Sequence, residues 1–237
     1  MATGYDNIGK GGIVKEGIFV RFPDLIPACN ERWWNDNLWH SRLLIVGESS
    51  YFSDDTPSVF KNPDLWYKGK DTKHLIPPSD DPENPKKYSN LVSNWKAGYP
   101  PFDRLRDSMN AVSNDIHCDC IYDEAMFYNY FLRPATVKVV RGKRILTFKK
   151  DCTQIDRDVA GDALCGIIET VKPDIVIFIS RYAYSEFNKY IVQKEYNLNV
   201  PYDFVNHPSH PAGWWNYKTG NGIQKFERLL REYWIKK

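Results

Sequence analysis

A chain of 237 residues with 32 lysines and arginines against 30 aspartates and glutamates has a net charge of only +2. That balance excludes the global polycation of a histone-like binder, so contact with nucleic acid is expected at a local patch. The length suits one sizeable α/β domain with its own core, and no stretch approaches the ~20 consecutive apolar residues of a membrane span or the basic start and apolar run of a leader peptide. A soluble, cytoplasmic monomer that does not engage membranes is the expectation. Aromatic residues make up 15 % of the chain, with eight tryptophans and fifteen tyrosines. Most of them read as half-buried packing residues, and those left on the surface suit stacking on exposed bases.

In chain order, residues 1–12 are polar and Gly-rich and read as an extended arm. Leu43-Leu44-Ile45-Val46 is a short apolar run that enters Gly47-Glu48-Ser49-Ser50-Tyr51, so a buried strand ends in a small-residue turn bearing a carboxylate and hydroxyls. Residues 53–101 hold eight prolines among charges and aromatics, a pattern that excludes long helices or central strands over most of the segment and reads as a functional or partly disordered insertion. Apolar spacing predicts a helix over 102–114 through Phe102, Leu105, Met109 and Val112. Met126 to Phe131 is an aromatic strand with one amide, Asn129, at its centre. Arg141 to Arg144 lies between two β-prone runs and predicts a hairpin turn.

Helical spacing returns over 155–171, followed by a strand from Ile175 to Ser180 and a helix over 182–195. Tyr202-Asp203-Phe204-Val205 is a final apolar run, and it leads into His207-Pro208-Ser209-His210. A helix from Ile223 to Trp234, with Phe226, Leu230 and Tyr233 on one face, closes the chain. No internal repeat is present. Alternating strands and helices of these lengths predict a single-domain α/β/α sandwich, spanning 1–237, around a mostly parallel sheet. In such sheets the ligand crevice lies beyond the strand C-termini, and the phrases at Gly47, Asn129 and His207 all sit at such ends.

The ordered set of a strand leading to Gly47-Glu48, a strand bearing Asn129, and a strand leading to His207-Pro208-Ser209 resembles the uracil-DNA glycosylase superfamily. The resemblance covers roughly residues 41–52 and 124–215, including Arg133-Pro134 and the Lys172-Pro173 element before the strand at Ile175. It implies a monofunctional DNA glycosylase that hydrolyses the N-glycosidic bond of uracil or a modified pyrimidine, taken from a flipped or single-stranded position, and leaves an abasic site. One departure stands out. Ser49 and Ser50 occupy the places of the Asp-Pro found in the best-known branch, so the water-activating Asp is missing and Glu48 takes its place, with Ser49 as helper.

Cleavage of this bond needs a donor for the departing base and a group that accommodates positive charge near C1′ and orients water. His207 suits the first task and Glu48 the second. Asn129 presents an amide that matches either uracil or cytosine, and Gly47 and Tyr51 join it in the base pocket. Ser209 and His210 face the DNA backbone, Lys218 meets phosphate, and Trp214 or Trp215 either fills the gap left by a flipped base or anchors its loop to the domain. Each polar residue also has a plainer reading: Glu48 as a strand-end carboxylate that caps a helix, Ser49 as an N-cap, and His207 and Asn129 as loop groups bonded to backbone.

The five cysteines, Cys29, Cys118, Cys120, Cys152 and Cys165, are odd in number and lack a paired C-x-x-C pattern, so they read as reduced thiols. One branch of the superfamily holds a four-Cys iron–sulfur cluster, and Cys118, Cys120, Cys152 and Cys165 imitate that set with a different spacing. His40, His74 and His117 are scattered without zinc spacing. The expected site has neither metal nor organic cofactor, and no motif lysine offers a Schiff-base nucleophile. The alternatives are a glycosylase for a bulky C5-modified cytosine in phage DNA acting in phage defence, a catalytically inactive nucleic-acid-binding module, and a nucleoside or nucleotide hydrolase.

Overall fold

The computed structural model describes residues 18–22, 25–27, 31–34, 39–51, 62–68, 100–113, 116–135, 138–140, 143–145, 148–209, 211–214 and 222–235. In chain order its elements are α1 (Ile18–Arg21), β1 (Leu43–Tyr51), α2 (Pro63–Lys68), α3 (Pro100–Val112), β2 (Ala125–Ala135), β3 (Lys138–Val140), β4 (Lys143–Ile145), α4 (Gln154–Val171), β5 (Ile175–Phe178), α5 (Arg181–Gln193), β6 (Tyr202–Phe204), α6 (Pro211–Trp214) and α7 (Ile223–Leu229). The last runs into one turn of π-helix, Leu230–Trp234.

Four strands form a parallel sheet in the order β2-β1-β5-β6, and β3 and β4 pair as a separate antiparallel hairpin. The runs Leu43–Val46 and Ile175–Phe178 are buried throughout because helices cover both faces of the sheet. Alternation sends Leu44, Val46, Val176 and Phe178 into one core with α4 and α5. Leu43, Ile45, Ile175 and Ile177 enter the other, with α3 and α7. The result is a single α/β domain whose central parallel sheet is flanked by helices. β1 leads the chain to β2 on one side, whereas β5 leads it to β6 on the other, so strand order reverses between the C-terminal ends of β1 and β5.

Several boundaries differ from the sequence reading for local reasons. The helix expected from 102 starts at Pro100, because prolines are tolerated in a first turn where no N–H is needed. The strand expected over 126–131 continues through Arg133 and Pro134. It is an edge strand and tolerates a missing donor there; the register steps from Ser49 opposite Phe131 to Tyr51 opposite Ala135. The closing helix changes to π geometry at Leu230, which turns Trp234 into the core while Tyr233 stays half-buried. Residues 1–12 and most of 53–101 lie outside the described residues.

Candidate functional site at the C-terminal ends of the sheet

All four sheet strands run the same way, but β1 and β2 continue past the end of β5: Gly47 to Tyr51, expected as a turn, is strand, and Asn129 lies mid-way along β2, so Gly47 and Asn129 stand just beyond the level at which β5 ends and not at the ends of their own strands. Gly47 stands directly opposite Asn129, and Val46 opposite Phe178, which stands opposite Phe204. Asn129 therefore lies on the first strand of the row, Glu48 on the second, Ser180 just past the third and His207 three residues past the fourth. With neighbouring strands roughly 4.8 Å apart, the row spans about 14 Å between its outer strand axes.

His207 is half-buried, and its Nδ1 receives the backbone N–H of Ser209 at 3.1 Å and lies 2.6 Å from Ser209 Oγ. A backbone N–H can only donate, so Nδ1 is the acceptor and the proton of the neutral ring belongs on Nε2. Burial pushes the imidazole pKa down from 6.5 to about 4, which keeps the ring neutral at physiological pH. Pro208 is buried, and its carbonyl accepts a hydrogen bond from Arg104 of α3. Helix α3 thus holds the turn that carries His207.

Asn129 Nδ2 donates to Ser50 Oγ at 3.2 Å. A Cβ on residue 47 would lie 2.5 Å from Asn129 Oδ1 and 3.0 Å from the Phe127 ring, so glycine is what lets the amide lie flat over β1. Phe127 is itself fixed by edge contacts with Phe102 at 5.0 Å and Tyr122 at 6.4 Å.

Glu48 is held at both oxygens: Oε1 accepts the Phe148 N–H at 2.9 Å and Oε2 accepts the Ser180 hydroxyl at 2.8 Å. Ser180 is the N-cap of α5, and its Oγ in turn accepts the Ala183 N–H at 3.3 Å. Ser49 differs from the plainer of its two readings, the N-cap. It lies inside β1, so it caps no helix, and among the described residues its buried Oγ has no partner and does not bond Glu48. The N-cap and the hydroxyl bond to Glu48 both belong to Ser180.

Trp214 is 1 % exposed and packs against Phe226 with ring centres 5.9 Å apart. A ring buried in this core cannot enter a duplex, so of its two readings the anchoring one holds. Ser209 is exposed at the turn. The backbone of Tyr51 ends β1, and its side chain, like His210, Trp215 and Lys218, lies outside the described residues.

The four described cysteines are free thiols, and they divide between the two faces of the sheet: Cys118 and Cys120 pack with the α3 and α7 core, Cys152 and Cys165 with the α4 and α5 core. They cannot meet around one cluster, which removes the iron–sulfur alternative built on those four. Burial raises Cys118 and Cys165 to about 12 and Cys152 to about 11, values that leave them protonated. Among the described residues no group of three or more His, Cys, Asp or Glu side chains is placed to hold a metal ion.

Sequence reasoning missed Ser180 as a partner of Glu48, although its place at a strand end before a helical pattern was an N-cap signal. Arg104 and the Phe148 N–H gave no signal, because their contacts span about a hundred residues of chain. Compared with models of known protein families and with curated protein sequences, the chain matches none.

Proposed function

We propose that the chain is a DNA glycosylase with a uracil-DNA glycosylase-like α/β/α fold, hydrolysing the N-glycosidic bond of uracil or a modified pyrimidine to leave an abasic site. The observation that carries the reading is the neutral His207 ring, with Nδ1 occupied by Ser209 and Nε2–H left as donor, on the same C-terminal side of the sheet as Asn129 and Glu48. The C1′–N1 bond breaks with its electron pair going to the base, and negative charge develops on the pyrimidine O2. The Nε2–H of His207 donates to that oxygen, and Asn129 grips the base edge. Glu48, fixed by two donors, faces the cationic sugar and orients the water that adds to C1′. An ionised carboxylate has about four acceptor sites, so two occupied ones leave capacity for this water. The water's proton passes to solvent or to the released base, giving free base and a C1′ hydroxyl.

The engagement of both Glu48 oxygens favours a second reading, a nucleic-acid-binding module whose carboxylate only braces α5. One experiment separates them. Oligonucleotides carrying uracil, cytosine and C5-substituted cytosines, single- and double-stranded, are incubated with the protein and then treated with alkali. Strand breaks at one base type support the glycosylase; binding without breaks at any base supports the module. Release of base from free nucleosides alone would move the function to nucleoside hydrolysis.

A further inference from the structure

We infer that Ser180 is the positioning residue for Glu48, an assignment that rests on the glycosylase reading. The two residues stand side by side where strand order reverses, two positions beyond the paired Val46 and Phe178. Ser180 is 5 % exposed, and an ionised carboxylate can only accept, so the hydroxyl proton of Ser180 must point at Glu48 Oε2. Ser180 Oγ itself accepts the Ala183 N–H in the first turn of the thirteen-residue helix α5. The hydroxyl therefore relays the orientation of a helix N-terminus to the carboxylate. From the opposite side Glu48 Oε1 is fixed by the Phe148 N–H, delivered by the segment that returns from the β3–β4 hairpin.

A carboxylate gripped from two directions does not reorganise as positive charge grows on the sugar, and this pre-organisation contributes to rate and not to ground-state binding. A purely structural cap makes a different claim, since it acts on α5 whether or not residue 48 is charged. Glycine is nearly as good an N-cap as serine and has no hydroxyl, so Ser180→Gly removes the grip while keeping the helix start.

The test is single-turnover base release from the oligonucleotide that the wild type cleaves, with DNA affinity and thermal unfolding measured in parallel. Ser180→Gly is expected to slow release about tenfold or more with affinity unchanged within about twofold, and Ser180→Thr, which keeps a hydroxyl, to restore the rate to within about threefold. In a Glu48→Gln background Ser180→Gly should cost no further rate, because its partner's charge is already gone. Should Ser180→Gly fail to fold, Ser180→Ala takes its place in the cycle. The assignment is overturned if the wild type cleaves and Ser180→Gly is equally fast, or if Ser180→Gly loses the same factor with and without Glu48. A wild type that releases no base from any strand overturns the glycosylase reading and this inference with it.

Discussion

Ser209 closes one nitrogen of His207 and burial keeps the ring neutral, so the useful property of this residue is a proton it does not readily gain or lose. The unfolded chain takes up a proton near pH 6.5, the folded one only near 4. The folded pKa is depressed, so this group's contribution to stability is full above about 6.5 and declines as pH falls from 6.5 towards 4. The pH–rate profile of base release should therefore show no acid limb centred at 6.5, and His207→Ala should slow release by about 10²-fold or more with unfolding temperature little changed, measured by single-turnover kinetics and thermal melts. Asn129 and Gly47 form one device. In Gly47→Ala the new methyl meets the Asn129 amide and the Phe127 ring, which should displace the amide and cost about 1–3 kcal/mol in urea unfolding. Asn129→Asp keeps the shape and replaces a donor by acceptors, so base preference among oligonucleotide substrates should move towards the amino edge of cytosine. Equal loss on every base would instead assign Asn129 to holding the loop.

At the scale of elements, β2 and α4 are joined by a charge pair with no access to water. Arg133 and Asp156 are both fully buried and bond twice, Nε to Oδ1 at 2.8 Å and Nη2 to Oδ2 at 2.7 Å. Asp156 also accepts the N–H and hydroxyl of Thr153 at the start of α4 and the hydroxyl of Tyr67 from α2. One carboxylate thus caps a helix, docks a second helix and neutralises the arginine beside Pro134. Asp156→Ala removes the carboxylate that faces a buried guanidinium and should destabilise the fold by about 3–5 kcal/mol, read from chemical denaturation. Arg133→Met in the same chain should return part of that loss, because the buried charge is then absent.

For the whole molecule, one sheet is the shared wall of both cores. Adjacent residues of β1 and β5 enter opposite clusters, so neither core can open without exposing the strands that bury the other. Trp33 and Trp66 report from one side, Trp214 and Trp234 from the other. Unfolding in urea followed by tryptophan fluorescence and by far-ultraviolet circular dichroism should give coincident midpoints. Two separated transitions would show that the helical layers unfold independently of the sheet. Among the described residues no helix is long and apolar enough to cross a membrane.

The sequence by itself determined most of the elements, although Gly47 to Tyr51, read as a turn, continues β1, and Asn129, read at a strand end, lies mid-way along β2. Apolar runs such as Leu43–Val46 and Ile175–Phe178 have the length and flanking residues of buried strands, and α3, α4 and α5 follow the spacing of their apolar positions to within a few residues. These signals are local, because side-chain periodicity and turn chemistry act over a few residues. Only the tertiary structure decided strand order, and with it that Glu48 meets Ser180 across 132 positions, that Arg104 reaches Pro208, that Arg133 finds Asp156, that Trp214 is interior, and that the cysteines part to opposite faces. Those outcomes depend on which distant segments pack together and in what register. A single polar residue such as Glu48 has no periodicity of its own to announce its partners, so its contacts were set by the neighbours that folding brought to it.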